Sequence, residues 1–118
     1  MRRYIYSRRL LFGSYEVRMA QVFDKFGWNW LAHGEFDAFP YGESHTYMPD
    51  FWLPELSLYI DVKCWFKLND QSKIARVRED NPQLALLVVT KPILKAFEQA
   101  AGLDASIAVE PIRLLRCP

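Results

Sequence analysis

The segment Leu58-Tyr59-Ile60-Asp61-Val62-Lys63 constrains this chain more than any other. Successive side chains of a strand alternate faces, so Leu58, Ile60 and Val62 point one way while Tyr59, Asp61 and Lys63 point the other. The alternation buries the aliphatics and sets a carboxylate beside an ammonium. Just upstream, Tyr47-Met48-Pro49-Asp50-Phe51-Trp52-Leu53-Pro54 reads as the neighbouring strand. A hairpin through Pro54-Glu55 brings the Asp50 carboxylate toward Asp61.

The rest of the chain surrounds this pair with an α/β pattern. Tyr15, Met19, Val22, Phe23 and Phe26 lie at helical spacing and predict a helix capped by Ser14 and ending near Gly27. Residues 28–65 hold short aromatic and β-branched runs broken by Gly34, Pro40-Tyr41-Gly42, Pro49 and Pro54. This punctuation predicts strands near 35–39, 49–53 and 58–65. Asn69 or Asp70 caps a predicted helix through Val77, with Ile74 and Val77 inward. Leu84 to Val89 is short, apolar and bounded by Pro82 and Pro92, as a buried central strand is. A helix from Pro92 to Ala101 follows, with proline in its first turn and Gly102 beyond its end. Ile107 to Val109 and Ile112 to Leu115 suit a small strand or a terminal helix turn. The predicted order is α-β-β-β-α-β-α.

A length of 118 residues with 51% apolar composition supplies one domain and its core, and argues against disorder. The longest apolar run, Leu84 to Val89, is far short of the roughly 20 residues that span a bilayer. No membrane association is expected. Arg2 and Arg3 could open a signal peptide, but Ser7, Arg8 and Arg9 interrupt the chain before an apolar core forms, and the Arg-rich, acid-free opening resembles an organellar transit peptide only loosely because it is so short. Cys64 and Cys117 lack C-x-x-C spacing, so a reducing cytoplasm is the simplest setting.

Asp50 and Asp61 offer two hard oxygen ligands, and Lys63 stands beside them. This set suits Mg²⁺, which takes one or two protein carboxylates and keeps its other positions for water and phosphate oxygens. Such an ion polarises a phosphoryl group, while the lysine orients or deprotonates the attacking water. His33 and His45 have no ligand-like spacing with the cysteines, which argues against zinc. Cys64 alternates onto the Val62 face as a small core residue.

These residues resemble the PD-(D/E)XK nuclease superfamily. Pro49-Asp50 matches the first half of its motif, and Asp61-Val62-Lys63 matches the second half in the Asp form. The resemblance covers about residues 14–90. It implies a restriction-endonuclease-like core, an α-β-β-β-α-β mixed sheet flanked by helices, in which Glu16 on the first helix stands where many members carry a further acidic metal-site residue. The implied activity is metal-dependent DNA endonuclease, with Asp50, Asp61 and Glu16 on Mg²⁺ and with Mn²⁺ as a substitute. Within the superfamily, Tyr-x-Pro-Asp-Phe and the Glu-bearing first helix look most like the junction-resolving phage endonuclease I type and the transposase nuclease-subunit type. Branched DNA in a bacterial or phage-infected cell is thus what the resemblance implies as substrate and setting, and no small-molecule cofactor is implied.

The net charge is only +1, which at first speaks against a nucleic-acid partner. Residues 1–18, however, carry five arginines against Glu16 alone, while residues 19–62 carry Lys25 against seven carboxylates. Residues 63–118 return to a basic excess of nine against six. Carboxylates therefore gather at the motif. Arg2, Arg3, Arg8 and Arg9 of a basic N-terminal arm (1–13), with Lys67, Lys73, Arg76 and Arg78, are placed to meet DNA phosphates. One chain has one such site, so symmetric cutting of two strands calls for a homodimer.

Plainer readings stand beside these. Asp50 suits a turn or strand edge, and Asp61 with Lys63 suits a surface cross-pair. Glu16 and Lys73 suit solvated helix positions. Glu35 and Asp37 share one face of the first predicted strand, from which they could approach a metal, but suit solvent at least as well. Trp28, Trp30, Trp52 and Trp65 suit core packing before base stacking. The functional alternative is a nuclease-fold module that binds DNA or protein without catalysis.

Overall fold

A computed structural model describes residues 3–103 and 113–115 of the chain. Arg2, Cys117 and the expected element at Ile107 to Val109 lie outside the described residues. The architecture is mixed α/β. In chain order the elements are β1 (Arg3–Tyr6), β2 (Arg9–Leu11), α1 (Ser14–Phe26), β3 (Leu31–Ala32), β4 (Phe39–Tyr41), β5 (His45–Tyr47) and β6 (Phe51–Leu53). A 3₁₀ turn at Pro54–Leu56 leads to β7 (Leu58–Val62), followed by α2 (Leu68–Asp80), β8 (Leu86–Val89), α3 (Lys91–Ala100) and β9 (Arg113–Leu115).

The central sheet has the order β3-β6-β7-β8. β6 runs antiparallel to both β3 and β7, and β7 runs parallel to β8. Parallel neighbours need a crossover, which α2 supplies. The alternation expected in β7 is realised. Leu58, Ile60 and Val62 join the larger apolar cluster with Val17, Met19, Val22, Phe23, Phe51, Val89 and Leu94, contributed by α1, the sheet and α3. Tyr59 joins the smaller cluster, with Tyr47, Ile74, Val77 and Leu86, under α2. The sheet is therefore covered by α1 and α3 on one side and by α2 with the β4–β5 hairpin on the other.

Several expectations are corrected. The strand expected at 35–39 is absent, because Gly34 at φ +85° turns the chain and the Glu35 amide donates to the Ala32 carbonyl at 3.1 Å. The first central strand is instead β3, and residues 39–47 form a separate hairpin in which Pro40 sits within β4. Proline is tolerated there because β4 pairs only with β5, leaving its other edge without a ladder. Ser14 is the first helical residue of α1 rather than its cap, a position taken by Gly13. The C-terminus of α1 behaves as expected. Gly27 adopts φ +75°, and the Gly27 and Trp28 amides donate to the Asp24 and Phe23 carbonyls. The buried face of α1 is Val17, Met19, Ala20, Val22 and Phe23, whereas Phe26 is exposed. α2 starts one residue before Asn69 and continues past Val77 to Asp80. Cys64 is half-buried against the larger cluster, close to its expected role.

The basic N-terminal segment is a β-hairpin rather than a free arm. β1 pairs with β2 and also with β9, and Tyr4 and Leu11 are buried in the main core. A bidentate ion pair ties α1 to α3: Arg18 Nε and Nη2 donate to Glu98 at 2.9 and 2.6 Å, with Glu98 fully buried. The β4–β5 hairpin is tied to α2 by Asn81 Nδ2, which donates to the Pro40 carbonyl at 2.8 Å, and by Asp80, which accepts from the Gly42 amide at 2.8 Å. Asn81→Ala is expected to cost about 0.5–1 kcal/mol, because it removes the donor to the Pro40 carbonyl, whereas the Val77 carbonyl keeps the backbone amide of residue 81. A denaturant midpoint equal to that of the wild type overturns this account of how the hairpin is held.

Candidate active site

The β6–β7 register pairs Phe51 with Ile60 and Trp52 with Tyr59, and its next step sets Asp50 opposite Asp61. Both carboxylates are buried, at 8% and 3% exposure. Each is oriented by groups from other elements. Asp50 Oδ2 accepts from the Val62 amide at 2.7 Å, and Asp50 Oδ1 lies 3.1 Å from His33 Nε2. The Tyr47 hydroxyl donates to Asp61 Oδ2. From the first turn of α1, Glu16 reaches the same cluster, and its Oε1 accepts from the Phe12 amide at 3.3 Å.

Three carboxyls in one poorly hydrated place cannot all ionise freely. Burial, then the negative charge of Asp50 and a shared hydrogen bond with it, raise Glu16 to about 8. Burial, then the charge of Asp50 and the hydrogen bond with it, raise Asp61 to about 7, although Tyr47 and the nearby Lys63 ammonium pull it down. Asp50 goes the other way. Burial alone pushes it up, but hydrogen bonds from His33, Asp61 and the Val62 amide hold it below the usual carboxylate range. Asp50 is thus the anion around which its two neighbours hold protons near neutral pH. The Tyr47 hydroxyl is kept protonated by burial and by the charge of Asp61.

Asp50, Asp61 and Glu16, expected from sequence, are thus brought together, with Lys63 at the end of β7, where its amide donates to the Val89 carbonyl at 2.9 Å. As the side chains stand, no group of three or more His, Cys, Asp and Glu among the described residues is arranged to hold a metal ion. The donor set nonetheless fits a hard cation. It consists of oxygens only, and its mutual repulsion is what a divalent charge relieves. His33 and Tyr47 were not legible as site residues. His33 lacks metal-ligand spacing, and only the fold brings it to Asp50. Tyr47 carried a signal, since it stands two residues before Pro49-Asp50 in the same motif phrase.

The expected phosphate contacts fare unevenly. Arg9 pairs with Glu35 at 2.8 Å and lies over the Trp30 ring, 4.6 Å from its centroid. Arg76 pairs with Asp80 at 3.0 Å, and Arg78 donates to the Leu86 carbonyl at 3.0 Å, pinning α2 to β8. Arg3 lies over Phe12 and Lys73 over Tyr47. Arg8 and Lys67 are exposed. Glu35 and Asp37 fall in the turn after β3, and Glu35 is committed to Arg9 and the Ala32 amide rather than to the carboxylate cluster. Of the tryptophans, Trp30 is core, whereas Trp65 is 65% exposed with Lys91 5.3 Å from its ring centroid. No helix among the described residues is long and apolar enough to cross a membrane. No family model, no curated protein and no solved structure matches this chain.

Proposed function

We propose that this chain is a Mg²⁺-dependent DNA endonuclease that hydrolyses phosphodiester bonds, selects branched DNA and works as a homodimer. The observation that carries the reading is the meeting of the buried Asp50 and Asp61, from just before β6 and from β7, with the half-buried Glu16 of α1, and with Lys63 adjoining. The order α1-β3-β6-β7-α2-β8, once the β4–β5 hairpin is set aside, supports the reading, because it has the α-β-β-β-α-β sequence and the mixed sheet that the resemblance implies.

Asp50 and Asp61 would hold the ion, with Glu16 completing the set directly or through water. A bound Mg²⁺ supplies Lewis-acid polarisation of a phosphoryl oxygen and lowers the pKa of water. The chain's own groups supply the rest. His33 and the Val62 amide fix the direction of Asp50, the Tyr47 hydroxyl fixes Asp61, and the Phe12 amide fixes Glu16. The Lys63 ammonium orients the attacking water and offsets charge that accumulates on the phosphoryl oxygens in the transition state. Symmetric cutting of two strands calls for two copies, since each chain contributes one site.

The test incubates purified protein with linear, single-stranded, nicked and four-way-junction DNA in Mg²⁺, in Mn²⁺ or in EDTA. Cleavage is expected in either metal, strongest on the junction, and none in EDTA. Binding without cleavage in both metals overturns the enzymatic reading in favour of a module that binds DNA by its basic surface.

A further inference from the structure

The β1–β2 turn contains two residues, Ser7 and Arg8, and both have positive φ, at 51° and 64°. Two-residue hairpin turns of this hand favour Asn-Gly, because a Cβ is strained in the left-handed region. The turn therefore holds an arginine where glycine is the comfortable residue. Non-glycine residues kept in such conformations gather where the side chain has work to do.

Arg8 lines a cleft of about 410 Å³ shared with Arg9, Phe12, His33, Gly34 and Glu35. Two of its walls belong to the carboxylate cluster: His33 contacts Asp50, and the Phe12 amide holds Glu16. Phe12 and His33 meet edge to face with centroids 5.5 Å apart, giving the cleft an aromatic side. The Glu35 carboxylate in the cleft is answered by Arg9, so the pair is balanced. Arg8, by contrast, is exposed and has no ion-pair or hydrogen-bond partner among the described residues. The cleft is thus large enough for a small ligand unit, carries an uncompensated guanidinium, and opens beside the candidate catalytic carboxylates.

We propose that this cleft is a nucleotide subsite, which seats the unit of the nucleic-acid strand adjoining the scissile phosphate, with Arg8 on its phosphate. The proposal rests on the endonuclease reading for the position of the scissile bond, but not for the binding itself. A guanidinium can take two phosphate oxygens at once, which makes Arg8 a register-setting contact as well as a charge.

The strain makes the test discriminating, because one substitution is expected to move stability and function in opposite directions. Arg8→Gly relieves the turn and should raise the melting temperature by a few degrees. It should also weaken binding of a labelled four-way junction, measured in Ca²⁺, by roughly five- to tenfold, and reduce the slope of log K against log salt by about one. Arg8→Lys should keep the full salt slope but recover only part of the affinity, because an ammonium does not take two phosphate oxygens at once, with no gain in melting temperature. Arg8→Gly that binds the junction as the wild type does, with an unchanged salt slope, overturns the subsite. Wild-type protein that binds but does not cut, with binding lost in Arg8→Gly, leaves the subsite standing and removes the nuclease. Wild-type protein that neither binds nor cuts removes both.

Discussion

Asp61→Asn is expected to abolish the proposed Mg²⁺-dependent DNA cleavage and, in the same protein, to increase stability at alkaline pH. The loss of activity should reach about 10³-fold or more, since the substitution removes a carboxylate oxygen from the only buried acidic cluster among the described residues and weakens the electrostatic stabilisation of the transition state. The gain in stability has a separate cause. Asp61 is buried beside the Asp50 anion, and its ionisation is opposed by both burial and that charge. An amide of the same shape removes the repulsion and still accepts the Tyr47 hydroxyl. The increase should amount to a few kcal/mol at pH 8, be smaller at pH 5 and approach zero only below about pH 4, where the carboxyl is protonated in the folded and the unfolded chain alike. Lys63→Ala should match the loss of cleavage without the stability gain. Cleavage by Asp61→Asn at the wild-type rate removes Asp61 from the mechanism, and a loss of stability at pH 8 shows that the carboxylate is a structural anchor instead.

The second large effect is a stability that falls with rising pH and that magnesium restores. Glu16 and Asp61 are raised in the folded state to about 8 and about 7, whereas in the unfolded chain they ionise near their ordinary values of 4.5 and 3.8. Between these limits the folded state binds more protons than the unfolded state, so stability decreases as pH rises. It is full below about pH 4, is lost progressively as pH rises through about 7 and 8, and is level above that. Asp50, whose carboxyl is held low in the folded state, contributes with the opposite sign and only in acid. The net decline between pH 5 and 8.5 should be on the order of 4 kcal/mol. A divalent cation competes with these protons, so 10 mM Mg²⁺ should raise the stability markedly at pH 8 and little at pH 5. Urea melts across that range, with Mg²⁺ or EDTA, provide the measurement. Equal stability at pH 5 and 8.5, with no response to Mg²⁺, contradicts the clustered carboxyls.

Much of the site could be read from spacing because its two main carboxylates lie on adjacent strands joined by a short connection. The antiparallel register then fixes which residues face each other. Tyr59 opposite Trp52 and Ile60 opposite Phe51 leave no freedom about where Asp50 falls. The elements with strong local signals also stand close to where periodicity puts them, as α1 and α3 illustrate. The misread elements are those governed by turns. Pro40-Tyr41-Gly42 looks like a break between strands, yet Pro40 and Tyr41 belong to β4 and Gly42 begins its turn. Glu35 and Asp37 look like strand residues, yet Gly34 has already reversed the chain.

The basic residues show the limit most clearly. Counting charges along the chain separates an acidic middle from basic flanks, but it cannot assign partners. Arg9 is spent on Glu35, Arg76 on Asp80 and Arg78 on a strand carbonyl, each through contacts between residues that composition treats as independent. Arg8, one position from Arg9, remains uncommitted because a turn with positive φ carries its side chain to the mouth of a cleft. By itself the sequence determined the α/β class, the strand faces and the opposition of Asp50 and Asp61, because period, burial and register are local consequences of the chain. Only the tertiary structure decided that Glu16 and His33 converge on Asp50 from α1 and from the turn after β3, and that Tyr47 reaches Asp61 from a separate hairpin. These contacts join elements that do not neighbour one another along the chain, and their geometry follows from how the two apolar faces of the sheet are covered.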